Sequence, residues 1–454
     1  VLKKYTYKGQ EYNLGPDYEN PDKNIFTVIV GKNGTGKSRL LKSIIEEFIG
    51  HTNRRGEINR SRDLFSSELD KLDIYHKPNN IIAVSTSPFD KFPLIRNNRN
   101  VNNYSYLGLR NLRANDLGMA YMSKVFTSLV SATLKSDWAA KKISSVLNYL
   151  GYEGYLEGRY HLELHPSRMR DVLGAIDDVS AFIHEFLTES NSISYRRLNS
   201  KYFFDEDTIS HQKVEEFLSI YKTMISHTNR PRISILISSD GAHSPELPNL
   251  NRDFQVLVDS GIIGLRDLTV RKKNTVSPFL ISDASSGEQS VVMSILGIAS
   301  EIKDGSLICI DEPEVCLHPQ WQEKYIELLI STFKEFKSCH FLIATHSPLI
   351  VSKLENDNCF VMSMDDGFLQ PASEINNRSV DFQLAHTFKT PGFKNEFLTR
   401  VLMSHLATFS ENGELNTEET NEVKSILKLQ DFISENDPVK KLMTMIEEAI
   451  EGEH

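Results

Sequence analysis

The chain alternates between two hydrophobic spacings. Ile25 to Val30 reads IFTVIV, a β-branched run ending on glycine, and Leu40, Leu41, Ile44, Ile45 and Phe48 recur at helical spacing after Ser38. The pair predicts strand, glycine loop, helix. Ile81 to Ser85 (IIAVS) predicts a second buried strand, placed beside the first, with the turn-rich SPFDKFP behind it. From about Arg110 to Lys273, long amphipathic stretches such as Leu117 to Leu134 and Arg170 to Leu187 predict a mainly helical insertion, or lid. They keep no heptad over several turns, so no long coiled-coil arm is expected. Strand spacing returns at Leu307 to Ile310 (LICI) and Phe341 to Ala344 (FLIA), with helical spacing from Gln320 to Phe336 between them. Strands spaced by helices predict an α/β fold on a mostly parallel sheet. Cys359 to Met364, the turn Asp365-Asp366-Gly367 and Phe368-Leu369 predict an edge hairpin. The remainder reads as helical, with Asp437-Pro438 as N-cap and first-turn proline of the last helix. The pattern divides the chain into 1–109, 110–273, 274–370 and 371–454.

Composition narrows the class. One residue in four is charged, no run of eighteen apolar residues occurs, and VLKKYTYKGQ lacks the apolar stretch of a secretory signal. A soluble protein that does not span a membrane is expected. Cys309, Cys316, Cys339 and Cys359 form no C-x-x-C pair, which excludes a standard zinc knuckle and fits a reducing cytoplasm. Of the net charge of -10, the segment from Glu411 to His454 carries 12 acidic and 4 basic residues. Global charge therefore says little about nucleic acid.

Four segments carry candidate chemistry. Gly31-Lys32-Asn33-Gly34-Thr35-Gly36-Lys37-Ser38, followed by Arg39, has glycines where backbone N–H groups approach phosphate oxygens. It also has a lysine for the β- and γ-phosphates and a hydroxyl for Mg²⁺. A solvated glycine turn is the alternative, and the flanking strand and helix argue against it. Leu307-Ile308-Cys309-Ile310-Asp311-Glu312 delivers two carboxylates at a strand end, Asp311 to hold Mg²⁺ and Glu312 to activate water. The continuation Pro313-Glu314-Val315-Cys316-Leu317-His318-Pro319 has no role that its chemistry alone reveals. Ser285-Ser286-Gly287-Glu288-Gln289 is a hydroxyl-rich helix start, read either as an anion site or as an ordinary cap. In Ala344-Thr345-His346-Ser347-Pro348, His346 is read either as a partner of the γ-phosphate or catalytic water, or as a structural histidine.

The order phosphate loop, S-G-x-Q signature, hydrophobic-D-E, histidine resembles ABC-type P-loop ATPases. The wording SSGEQ, IDEPEVCLHP and ATHSP is similar to the branch with RecF, SMC-like heads, OLD-type and bacterial anti-phage ATPases. The resemblance covers both ends of the chain and leaves the middle unmatched. It implies an ABC-type head interrupted by the helical insertion. Asn33, Gly34, Thr35, Gly36, Lys37, Ser38 and Arg39 would bind ATP, Ser38 and Asp311 would hold Mg²⁺, and Lys37, Glu312 and His346 would be catalytic. Ser286, Gly287, Glu288 and Gln289 would contact ATP held by a second copy, giving a head-to-tail homodimer or a higher even-numbered oligomer. Glu288 stands where transporters usually carry glycine. The segment Ser85 to Phe92 contains no Gln to serve as a Q-loop, and Tyr5, Tyr7 and Tyr12 are the candidates for stacking on the base.

A transporter subunit is disfavoured by the insertion. An OLD-like nuclease would need a Toprim region after His346, where only Asp365-Asp366 offers carboxylates, so no nuclease site is expected in this chain. The resemblance extends softly, over Ser379 to Glu396, to the ATPase subunits of anti-phage systems such as Septu and its retron-associated forms. It implies a separate HNH or Toprim nuclease partner. The alternative function is a RecF- or SMC-like ATPase acting on DNA. Three basic stretches, Arg54/Arg55/Arg60/Arg62, Arg96/Arg99/Arg110/Arg113 and Arg271-Lys272-Lys273, are candidates for DNA or RNA phosphates, or are solvated surface.

Overall fold

The computed structural model describes residues 1–17, 20–52, 58–59, 72–95, 103–110, 112, 117–164, 166–188, 198–205, 208–227 and 232–451. The chain forms two compact units, one made of 1–110 with 302–454 and the other of 111–301. Strands are numbered along the chain. In the first unit, β1 (Leu2–Tyr7), β2 (Gln10–Asn13) and β6 (Leu72–Ile74) form an antiparallel sheet, and β4 (His51–Thr52) pairs with β5 (Ile58–Asn59). The main sheet contains β3 (Ile25–Val30), β7 (Ile81–Ser85), β8 (Tyr104–Gly108), β16 (Leu307–Asp311), β17 (His340–Ala344), β18 (Cys359–Ser363) and β19 (Leu369–Pro371). Its order is β19-β18-β3-β17-β16-β7-β8, parallel except for the edge strand β19.

Every residue of β3, β7, β16 and β17 is buried, which is why these strands read as continuous apolar runs rather than as alternating ones. The strand Ile81–Ser85 does not lie beside the first, as the sequence suggested. Strands β16 and β17 come between them, because two strands entering 200 residues later take the central positions. Helix α1 (Lys37–Ile49) lies between the two sheets. Leu40, Leu41, Ile44 and Ile45 pack with Ile29, Leu307 and Leu342 on one side and with Leu2 and Tyr5 on the other. Each such burial stabilises by roughly 1.5–3 kcal/mol. His340 is fully buried in β17 and acts as a polar pin. Its Nδ1 accepts from the Leu2 N–H at 3.3 Å, and its Nε2 meets Thr27 Oγ1 at 3.0 Å while that hydroxyl donates to Leu14.

The C-terminal helices Glu396–Asn412, Thr417–Leu427 and Pro438–Glu451 share an apolar cluster that includes Leu398, Leu402, Val423, Ile426, Val439 and Ile446. Asp437 caps the last helix through the Val439 N–H, as its place before proline suggests, and also accepts from the Lys394 N–H. Met445 on the last of these helices is 56 % exposed.

Helical residues outnumber strand residues in the second unit, but its helices surround an antiparallel sheet that the sequence did not announce. Its strands are β9 (Leu156–Leu162), β12 (Arg232–Ser238), β13 (Gly241–His243), β14 (Ile263–Val270) and β15 (Phe279–Leu280), in the order β13-β12-β9-β14-β15. A two-stranded ribbon, β10 (Phe204–Asp205) with β11 (Thr208–Ile209), lies apart. The unit extends to Glu301 instead of ending at Lys273. The reason is the helix Ser286–Glu301, whose two ends are fastened within the unit. Tyr152 and Lys272 hold Glu288 at one end, and Ser128 donates to Glu301 at the other. Among the described residues, no helix is long and apolar enough to cross a membrane.

Candidate nucleotide-binding site

The site is built where β3, β16 and β17 end side by side. After Val30 the chain enters the loop Gly31 to Gly36. A Cβ on Gly31 would stand 2.9 Å from the Met364 Cβ, while Gly34 and Gly36 take φ of +85° and +101°. Glycine alone lets the backbone bend in this way and turn its N–H groups inward. Asn33, Gly34 and Arg39 are exposed, Thr35 bonds the Lys32 carbonyl at 2.9 Å, and α1 starts at Lys37. The seven residues predicted to hold the nucleotide therefore run as one continuous loop and helix start.

Lys37 is buried at the centre of the cradle. Its Nζ donates to the Gly31 carbonyl at 2.8 Å and lies 2.6 Å from His346 Nε2. Burial lowers its pKa to about 8 against the upward pull of Glu312, Glu314 and Asp311. Burial and the Lys37 charge together lower His346 to about 4, so its imidazole is neutral at pH 7 and accepts from the ammonium. Glu312 Oε1 stands 3.8 Å from His346 Nε2. The strand β16 delivers Asp311 and Glu312 together, and Glu312 adopts a left-handed backbone with φ of +49°. A non-glycine residue in that region costs on the order of 1–3 kcal/mol and is held there by its surroundings, here a bond from the Glu312 N–H to the Ala344 carbonyl at 2.9 Å.

Ser38 Oγ donates to Asp311 Oδ1 at 3.0 Å. A hydroxyl beside a carboxylate is a hard oxygen donor pair of the kind that suits Mg²⁺. Burial raises the Asp311 carboxyl to about 7, with Ser38 as its opposing hydrogen bond and Glu312 adding to the rise. A divalent cation at that pair would offset the buried negative charge, so the residues fit the metal expected of them.

Glu314 supplies what the sequence left open. One carboxylate oxygen accepts from the His346 N–H, and the other, Oε2, is buried with no hydrogen-bond partner among the described residues. Burial raises its pKa. Glu314 thus anchors the backbone of the turn that presents the imidazole. Ser347 completes that turn, accepting from the Ile350 N–H at 3.3 Å and donating to Gln322. An acid three residues after Asp311 was the available signal, but spacing alone could not show where its carboxylate points.

The signature residues belong to the second unit. Ser286 is exposed and Gly287 buried at the start of their helix, and the Ser285 hydroxyl accepts from the Glu288 N–H. The Glu288 side chain, predicted to face nucleotide, instead accepts from Tyr152 at 2.8 Å and pairs with Lys272 at 3.1 Å. Gln289 donates to the carbonyls of Ser282 and Ala284. Two of the proposed base-stacking tyrosines are enclosed: Tyr5 is fully buried against Ser43 of α1, and Tyr12 is 6 % exposed and bonded to Gln10. Of the basic stretches, Arg54, Arg55, Arg60, Arg62, Arg96, Arg99 and Arg113 lie outside the described residues. Arg110 pairs with buried Asp90, and Arg271 and Lys272 pair with Glu153 and Glu288.

A family profile described as "AAA domain, putative AbiEii toxin, Type IV TA system" matches residues 179–352. The "Retron Vc95 probable ATPase" of Vibrio cholerae serotype O1 biovar El Tor is 21 % identical over 443 residues, covering 90 % of this chain and 83 % of that protein. The "Retron Ec83 probable ATPase" of Escherichia coli is 30 % identical over 116 residues, 23 % of this chain and 20 % of that one. Among solved structures, an SMC head domain from Pyrococcus furiosus shares 12 % identity at a TM-score of 0.30, covering 82 % of this chain and 97 % of that one. The phosphate loop, the carboxylate pair and the imidazole on one parallel sheet form the site of a P-loop ATPase, and the chain is similar to the probable ATPases of two bacterial retrons.

Proposed function

We propose that this ATPase is a subunit of a bacterial anti-phage defence complex of the retron-associated or Septu kind, working in the cytoplasm with ATP and Mg²⁺. Two copies close head to tail, and the assembly controls a separate nuclease subunit, with the HNH type favoured. The observation that carries this reading is the arrangement around Lys37. The hydrolytic groups of one copy converge there, while Ser286, exposed at its helix start, is available to the nucleotide of another copy. The likeness to a retron ATPase over 90 % of the chain supports the defence setting.

Each residue has a task that its position allows. Lys37 exchanges the Gly31 carbonyl and His346 for phosphate oxygens. Ser38 and Asp311 would hold the cation, which would draw charge from the phosphates. Glu312 takes a proton from the attacking water, and neutral His346 contacts the terminal phosphate. General-base removal slows such reactions by about 10²–10⁴-fold.

The test is Glu312→Gln with ATP and Mg²⁺, followed by light scattering on a sizing column. An ATP-dependent dimer that Ser286→Arg abolishes is the expected result, and a chain that stays monomeric under both conditions rejects head-to-tail closure. Co-purification with the product of the neighbouring nuclease gene tests the partner. In cells, a trapped Glu312→Gln dimer that still protects against phage assigns the signal to ATP binding, whereas loss of protection assigns it to turnover.

A further inference from the structure

The sheet order gives the bound nucleotide a direction. Asp311, Glu312 and His346 follow β16 and β17, which lie on one side of β3, and β18 and β19 lie on the other. A triphosphate whose β- and γ-phosphates meet Lys37, and whose cation meets Ser38 and Asp311, points its terminal phosphate toward β17. Its nucleoside leaves on the β18 side.

On that side, a cleft of about 600 Å³ opens between the β18–β19 edge and the C-terminal region, within the size range of small-ligand sites. Val30, the last residue before the phosphate cradle, lines it, as do Ser363, Phe368, Phe382 and Phe432. Phe368 and Phe432 are 62 % and 50 % exposed, so their ring faces are accessible. Phe432 also reaches the cradle: Lys32 Nζ lies 3.2 Å from its ring centroid. A ring face that attracts an ammonium through its quadrupole also stacks with a purine. The purine would displace a single flexible side chain. The enclosure of Tyr5 and Tyr12 withdraws two of the three N-terminal alternatives.

We infer that this cleft receives the nucleoside of ATP, with the purine stacked on Phe432 from the C-terminal region. The inference rests on the ATPase reading of the phosphate cradle. It makes residues 382–432 part of the nucleotide site, so that nucleotide affinity depends on how the C-terminal helices pack.

The experiment compares two probes by calorimetry on the full chain, magnesium ATP and magnesium tripolyphosphate, the second having phosphates but no nucleoside. Phe432→Ala should weaken ATP about tenfold, in line with the loss of one stacked base. It should leave tripolyphosphate unchanged. Phe432→Trp should restore ATP binding, which separates stacking from misfolding, and Lys37→Ala should weaken both probes. Unchanged ATP affinity in Phe432→Ala, or equal losses for both probes, overturns the inference while leaving the ATPase reading intact. A wild-type chain that binds neither probe overturns the ATPase reading itself.

Discussion

Single residues at this site are placed for chemistry at the expense of stability. Asp311 shows it most directly: its folded-state pKa of about 7 lies above the ordinary carboxylate value of 3.8. The sign follows from linkage. The penalty is absent below about pH 3.8, grows as the pH rises, and is complete above about pH 7, where the carboxylate is charged in both states. Asp311→Asn should therefore raise the stability of the nucleotide-free chain at pH 8, by on the order of 1–3 kcal/mol in urea melts, while removing the Mg²⁺-dependent hydrolysis proposed above. Glu314 makes a different prediction. Glu314→Ala leaves the His346 N–H without its acceptor, and kcat should fall about tenfold with ATP affinity retained, because the interaction lost orients the imidazole proposed to contact the terminal phosphate. Glu314→Gln, which keeps an acceptor oxygen, should recover most of that loss. At this scale the sequence was legible wherever a motif fixes the backbone, as in the run from Gly31 to Ser38. It was not legible where a side chain's direction decides its role: Glu314 turns inward to His346, and Glu288 turns to Tyr152 rather than to a nucleotide.

Elements were readable in proportion to how evenly their surroundings treat them. Strands β3, β16 and β17 are covered on both faces, and their apolar runs survive in the sequence as unbroken words. Strand β9 is buried at alternate positions along LEGRYHL, with Gly158 and Arg159 interrupting the signal, and it stands among helices that dominate any longer window. Its sheet therefore passed as helical insertion. Sheet order was also hidden, since apolar runs do not say which strands neighbour each other, and Ile81–Ser85 was set beside Ile25–Val30 for that reason. Caps, which depend on two or three adjacent residues, were legible. Asp437 is fully buried and accepts N–H groups from Val439 and from the distant Lys394. Asp437→Ala should cost about 2 kcal/mol in a urea melt, above the usual ~1 kcal/mol for a cap, because two backbone donors, one of them buried, lose their acceptor.

For the whole molecule, stability in acid turns on the histidine that joins β17 to the N-terminal sheet. Burial holds the pKa of His340 well below its ordinary 6.5. The unfolded chain therefore binds the extra proton first, and this group lowers stability as the pH falls below about 6.5, by up to ~1.4 kcal/mol per pH unit, against the opposite slope of Asp311. Urea midpoints of the wild type and His340→Gln between pH 7 and pH 5 should diverge by that slope of one proton. A further consequence comes from the interruption of the sheet by the second unit. Strand β3 has its neighbours in β17 and β18, which follow it by about 300 residues. At a synthesis rate of about 5–20 residues per second, that apolar strand spends roughly 15–60 s on the ribosome without its partners. The unit 111–301 emerges complete in the meantime. Nascent chains stalled just before β17 emerges should thus contain a protease-resistant middle and a cleavable N-terminal segment, because the phosphate loop takes shape only once the central strands have arrived.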